Sequence, residues 1–199
     1  LVAVSHSAYE GGFQSEDQIG QNHYANHFSC IPLSLQYRPP RITPKPRIWG
    51  CQTAVVVGPS GEEIYTDKYG RVKVHFHWDR ENPQDQSSSC WIRVATNWAG
   101  RHWGTIQIPR IGQEVVVDFL EGDPDRPIIV GSVYNGMNMP PYDLPANKTQ
   151  SGVISSSSPG GSGYNQIRFE DTAGSEEVLI HAQYDMNTVV EHDQSLTVK

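Results

Sequence analysis

The sequence predicts an all-β protein: a small closed barrel followed by a thin β-rod. Three observations carry this. Between residues 49 and 135 strand-like runs recur at short spacing, each closed by Gly, Pro or Asp as turns require. No segment of similar length shows a 3.6-residue apolar repeat, so helix is a minor component. From Asn165 onward an eight-residue spacing links Ala182, Val190 and Val198, with Asp185 and Asp193 in step, and fixed-period strands mean stacked units that cannot bury their apolar face alone.

Residues 1–48 come first. They hold the strand-like LVAVSHSAY, a polar Gly-rich stretch, then HYANHFSCIPLSLQYRPP and the segment RPPRITPKPR. Pro39, Pro40, Pro44 and Pro46 deny backbone donors and favour extended chain, so 38–47 reads as a linker at the end of a larger domain. The runs QTAVVVGPSG, EEIYTDKYG, RVKVHFHWD, CWIRVATNW, GTIQIPRIG, QEVVVDFLEGDPDRP and IIVGSVYNG follow. They suffice for about six strands, and closing them into a barrel removes exposed edges. Residues 136–164 are rich in Ser, Gly and Pro and read as an exposed connector whose order comes from outside contacts. The stretch 165–199 is the rod. Its repeat stops in mid-pattern, which leads us to expect that the natural protein continues past Lys199.

Composition narrows the function classes. With 22 acidic against 15 basic residues the net charge is −7, whereas phosphate neutralisation by Lys and Arg supplies most non-specific nucleic-acid affinity. Arg71, Lys73, Arg80, Arg93, Arg101 and Arg110 are scattered among acids, so a nucleic-acid-binding barrel is the weaker reading and anionic membranes are disfavoured too. No apolar run approaches the roughly 20 residues of a spanning helix, and LVAVSHSAYEGG lacks a basic-then-apolar leader pattern. Apolar residues make up only 37% of the chain, too few for one large self-contained core. Part of the chain therefore needs a partner surface. Cys30, Cys51 and Cys90 are odd in number and widely spaced, and read as reduced, mostly buried thiols.

Several side-chain groups invite chemistry. His75, His77 and Asp79 form an HxHxD pattern that could hold zinc. Strict alternation, however, puts Val72, Val74, Phe76 and Trp78 on one face and Lys73, His75 and His77 on the other, as in a half-buried strand. His23 and His27, with His6 and Cys30, would share a face only in a helix, which HYANHFSC does not resemble. Glu121, Asp123 and Asp125 in EGDPDRP read as a turn and not a calcium loop. Ser5, Ser60 and Ser155 to Ser158 lack a GxSxG elbow. Trp49, Trp78, Trp91, Trp98 and Trp103 could stack bases, but barrel core and chain–chain contact fit an acidic protein better. We expect no catalytic residue, cofactor or metal.

At DKYGRVKVHFHWDRE (67–81), CWIRVATNWAGRHWG (90–104), IPRIGQEVVVDFLEGDPDRPIIVGSVYN (108–135) and NQIRFEDTAGSEEVLIHAQYDMNTVV the chain closely resembles the VgrG family of type VI secretion spike proteins. Four long motifs stand in the family's order, covering residues 47–199 strongly and 1–46 weakly. The resemblance implies the end of a phage-hub-like domain over 1–48, an OB-fold-like barrel over 49–135, a connector over 136–164, and over 165–199 the start of an intertwined, triple-stranded β-helix. It also implies a homotrimer that sits on a tube of Hcp-like protein, carries a PAAR-type tip, effectors or adaptors, and meets a membrane only by mechanical puncture. Such a protein resides in the bacterial cytoplasm before firing and leaves without a signal peptide. In the rod, Ile180, Ala182, Val190 and Val198 are the expected inward positions, with Glu191 and Asp193 facing water. A contractile-phage baseplate spike would share the barrel and the needle. The resemblance is to a part of the family pattern, with most of the hub and needle missing and no effector extension.

Overall fold

The computed structural model describes residues 1–9 and 23–199. The polar, Gly-rich stretch after Tyr9 lies outside the described residues. The chain forms two compact units, Leu1–Lys45 and Pro46–Lys199. In the first, β1 (Ala3–Tyr9) and β2 (His23–Ser29) pair antiparallel, with Ser5 opposite His27 and Ala8 opposite Tyr24. The His6 imidazole meets the Tyr24 hydroxyl at 2.6 Å. All but one of the described residues in these strands are exposed, and a lone two-stranded ribbon is marginal in water.

The second unit is built on a five-stranded sheet. Its strands are β3 (Gln52–Val57), β4 (Lys73–Phe76), β5 (Arg93–Val94), β6 (Glu114–Phe119) and β7 (Pro127–Val133), in the order β4-β3-β6-β7-β5. The sheet curls until its two edges meet. Val72 and Ile92, just before β4 and β5, exchange both backbone hydrogen bonds at 3.0 and 2.8 Å. That single bridge joins the two edges at one point, in the direction that barrel closure takes in a small β-protein.

Alternation sets the core. Ala54, Val56, Val72, Val74, Ile92, Val115, Val117, Phe119 and Ile129 point inward and are buried, each apolar side chain of Val or Ile size contributing about 1.5–3 kcal/mol. Pairing slips between Val116 and Val117, so that Val116 faces Gly131 and Val117 faces Ile129. The extra residue on β7, Val130, is turned to the surface as a bulge requires. Ile48, just past the Pro-rich segment 38–47, packs against this core and donates its amide to the Gly122 carbonyl at 2.9 Å.

Several sequence expectations are corrected here. EEIYTDKYG and GTIQIPRIG are not strands. In the first, the Asp67 carboxylate accepts the Tyr69 and Arg71 amides at 2.9 and 3.0 Å, a side chain replacing a ladder. In the second, Pro109 has no amide to give. The tryptophans do not fill the barrel: Trp49, Trp78, Trp98 and Trp103 are 57% to 86% exposed, because a barrel this narrow closes on β-branched aliphatic chains. The thiols of Cys30, Cys51 and Cys90 are exposed, not buried.

His75 keeps its place on the outer side of β4 but is covered there. It is only 7% exposed, since residues 79–90 fold back over the outer side of β4. Asn82 presents its carbonyl 3.3 Å from His75 Nε2, Ser89 Oγ accepts the Val74 amide, and Gln86 accepts from Lys73 Nζ. Trp78 has left the strand. It stacks on Phe76 at 5.2 Å and donates to Gln52 Oε1.

Within residues 136–164, read as a connector ordered from outside, lies β8 (Gln150–Ile154). It pairs antiparallel with β9 (Gln166–Glu170), which pairs with β10 (Glu177–His181). Order there comes from the chain's own ladder. Gly152 sits at φ 153°, and a Cβ at that position would collide with the Ile167 carbonyl oxygen. Gly152→Ala is expected to cost about 1–3 kcal/mol and to loosen the β8–β9 pairing. A thermal midpoint unchanged from the parent, with equal amide protection at Ile167, would contradict this.

Candidate functional site: an exposed apolar sheet face

The β8–β9–β10 sheet has two unlike faces, set by its register. Val153, Ile167 and Ile180 stand opposite one another, and two residues away Ser151, Phe169 and Val178 do the same. Successive side chains alternate across a strand, so these six share one face. Its five apolar members are 44% to 65% exposed. An ordered, contiguous apolar surface of this kind marks a contact site.

The other face is mixed and partly covered, with Ile154 and Leu179 among its polar side chains. Gln166 is buried and donates to the Tyr142 hydroxyl at 3.2 Å. Arg168 pairs with Glu177 across the ladder. His181 stacks on Tyr164 with ring centres 4.6 Å apart. Beyond β10 the chain ties back, the Gln183 amide donating to Asn165 Oδ1 at 2.9 Å and Gln183 Oε1 accepting from the Tyr164 amide at 3.1 Å.

At the sheet's end Glu170 accepts from the Thr172 amide at 2.9 Å and from the Thr172 hydroxyl at 2.6 Å. Hydrogen bonds from Thr149 first, then Thr172, hold its carboxyl down at about 2, below the usual 4.5. A depressed carboxyl contributes stability that is complete above its ordinary value and is lost as pH falls toward the folded one. The rod sheet is therefore expected to loosen progressively on acidification from 4.5 toward about 2. Glu170→Gln removes that part of the pH dependence. Thermal midpoints of both proteins across this range check it, and parallel curves would refute it.

The expected rod positions are not all alike. Ile180 lies on the apolar face, and Ala182 is half-buried just past β10. Val190 and Val198 are exposed in the tail that follows the last described strand. The eight-residue spacing does not reach Val153, Ile167, Phe169 or Val178, although the alternation in QIRFE and EVLIH carries the last three. His192 pairs with Asp193 at 2.6 Å in the same tail.

The histidine groups are dispersed. His23 and His27 lie on a strand, about 13 Å apart along it, and His6 opposes Asn26 on the other face. His77 is exposed, 3.8 Å from Glu114. Among the described residues, no three His, Cys, Asp or Glu side chains gather as a metal site would need. EGDPDRP forms the β6–β7 turn, with Glu121 and Gly122 at positive φ and the Asp125 amide bonded to Asp123 Oδ1.

The barrel and the apolar sheet coincide with two known units. Residues 53–134 match the model of the type VI secretion system/phage-baseplate injector OB domain. Residues 151–199 match that of the bacteriophage T4 gp5 C-terminal trimerisation domain. Over 197 residues, 98% of the chain, it is 57% identical to the type VI secretion system spike protein VgrG1c of Pseudomonas aeruginosa. The chain belongs to the VgrG family of type VI secretion spike proteins. Other VgrG relatives agree: VgrG4b of Pseudomonas aeruginosa is 56% identical over 89% of the chain, and VgrG3 of Vibrio cholerae 48% over all of it. This VgrG chain spans 27%, 22% and 20% of the lengths of these three proteins. The apolar face lies wholly inside the trimerisation match.

Proposed function

We propose that the chain is a structural part of a type VI secretion spike, a homotrimer that caps a tube of Hcp-like protein and carries a PAAR-type tip, effectors or adaptors. The observation that carries this is the apolar face of Val153, Ile167, Phe169, Val178 and Ile180, exposed in one chain and lying in residues matched to a trimerisation domain. Three copies turning this face to a common axis would bury it, and the side chains would extend along Ala182, Val190 and Val198. Rigidity is then the mechanism: a closed barrel and a shared rod deliver force to a membrane without chemistry. The protein would wait in the bacterial cytoplasm and leave through the secretion machine itself.

Light scattering on the purified chain tests the assembly. Three times 22.2 kDa supports the spike, and a monomer at all concentrations refutes it for this chain. A baseplate spike of a contractile phage is the second reading, favoured by the phage terms in both domain matches. Co-sedimentation with the type VI tube protein separates the two, since a phage spike would leave that protein in the supernatant.

A further inference from the structure

The hairpin joining β8 to β9 reaches back to the barrel. Past the strands it stays paired, the Ser155 amide donating to the Asn165 carbonyl at 2.9 Å and the Ser157 amide to Gly163 at 2.8 Å. Its tip is gripped by Glu63, from the segment between β3 and β4. One carboxylate oxygen accepts the Ser158 hydroxyl at 2.6 Å and the other the Gly160 amide at 2.6 Å. Beside it, Arg110 donates to the Ser156 carbonyl at 2.8 Å. Glu63 is itself seated, because its backbone carbonyl accepts the Ile111 amide at 3.0 Å. Behind this grip an open groove of about 890 Å³ separates β8 from the barrel wall at Val94, Val130 and Val133. Contact between rod and barrel is thus concentrated at the tip.

We propose that Glu63 is a positioning residue which, with Arg110, fixes the direction in which the rod leaves the barrel, so that axial load crosses a hydrogen-bonded joint. The mechanical consequence rests on the spike reading, whereas the joint itself does not. A carboxylate suits the task because it accepts two donors at once, one from a side chain and one from the backbone, and charged acceptors bond more strongly than neutral ones.

Amide exchange on the whole chain tests it. Glu63→Ala should speed exchange at Gly160 about tenfold, leaving β3 and β6 unchanged. Glu63→Gln should restore most of the protection, since its amide oxygen accepts from Gly160 and its NH2 can donate to Ser158 Oγ. Unaltered exchange at Gly160 in Glu63→Ala overturns the proposal. Should that variant fail to fold, Ser158→Ala removes the same bond from the rod side: faster exchange supports the joint and unchanged exchange overturns it. Light scattering of the parent, run in parallel, reports the trimer separately, so a failed spike reading is told apart from a failed joint.

Discussion

Replacing Ile167 by aspartate is expected to convert a trimer into single chains. Ile167 is on β9, the middle strand of the rod sheet, with Val153 opposite on one side and Ile180 on the other. If three such faces meet about one axis, the substitution brings three carboxylates together where water is excluded. An unpaired buried charge costs several kcal/mol even after relaxation, and like charges cannot compensate one another. Val190→Asp should act in the same direction further along the rod. Lys148→Asp introduces the same charge at an exposed site beside the sheet and should leave the assembly intact. Light scattering at matched concentration gives the answer: an Ile167→Asp trimer as stable as the parent would remove the apolar face from the assembly.

Ile129→Ala should destabilise the barrel by about 2–5 kcal/mol, the cost of a large buried aliphatic side chain together with the cavity it leaves. Ile129 is 1% exposed. It stands opposite Val117 at the bulge, and through the parallel pairing of β7 with β5 it also faces Val94. Its carbonyl accepts the Ala95 amide at 2.8 Å. A shortened side chain there opens a void in the core between β6 and β5, and neighbours tethered by two ladders collapse into it poorly. Trp98→Ala, by contrast, removes an exposed ring that packs edge-to-face on Trp103, and should cost far less. Urea unfolding of the two variants compares them directly. Equal losses would mean that the aliphatic interior is not what holds the barrel.

Much of this was legible from residues. Alternation in QTAVVV and EVVVDF marks β3 and β6, because a strand buried on one side must repeat every second residue. The low apolar content of the last stretch pointed to a partner surface, and residues 151–199 match a trimerisation domain. Where reading failed, something distant in sequence had intervened. His75 looked like an outward residue until the loop at 79–90 covered it. The Ser-rich run at 155–158 looked like a flexible link because its partners, Glu63 and Arg110, lie far from it in the chain.

By itself the sequence determined the all-β class, the family, and the alternation that leaves one face of each rod strand apolar. These follow from local pattern, since side-chain period and turn chemistry are properties of neighbouring residues. Only the tertiary structure decided that the barrel closes between Val72 and Ile92, that the tryptophans stay outside, and that β8 belongs to the rod sheet with its hairpin held by Glu63. Each of these depends on which distant backbone groups and side chains come within hydrogen-bonding or packing distance, and no local period encodes that.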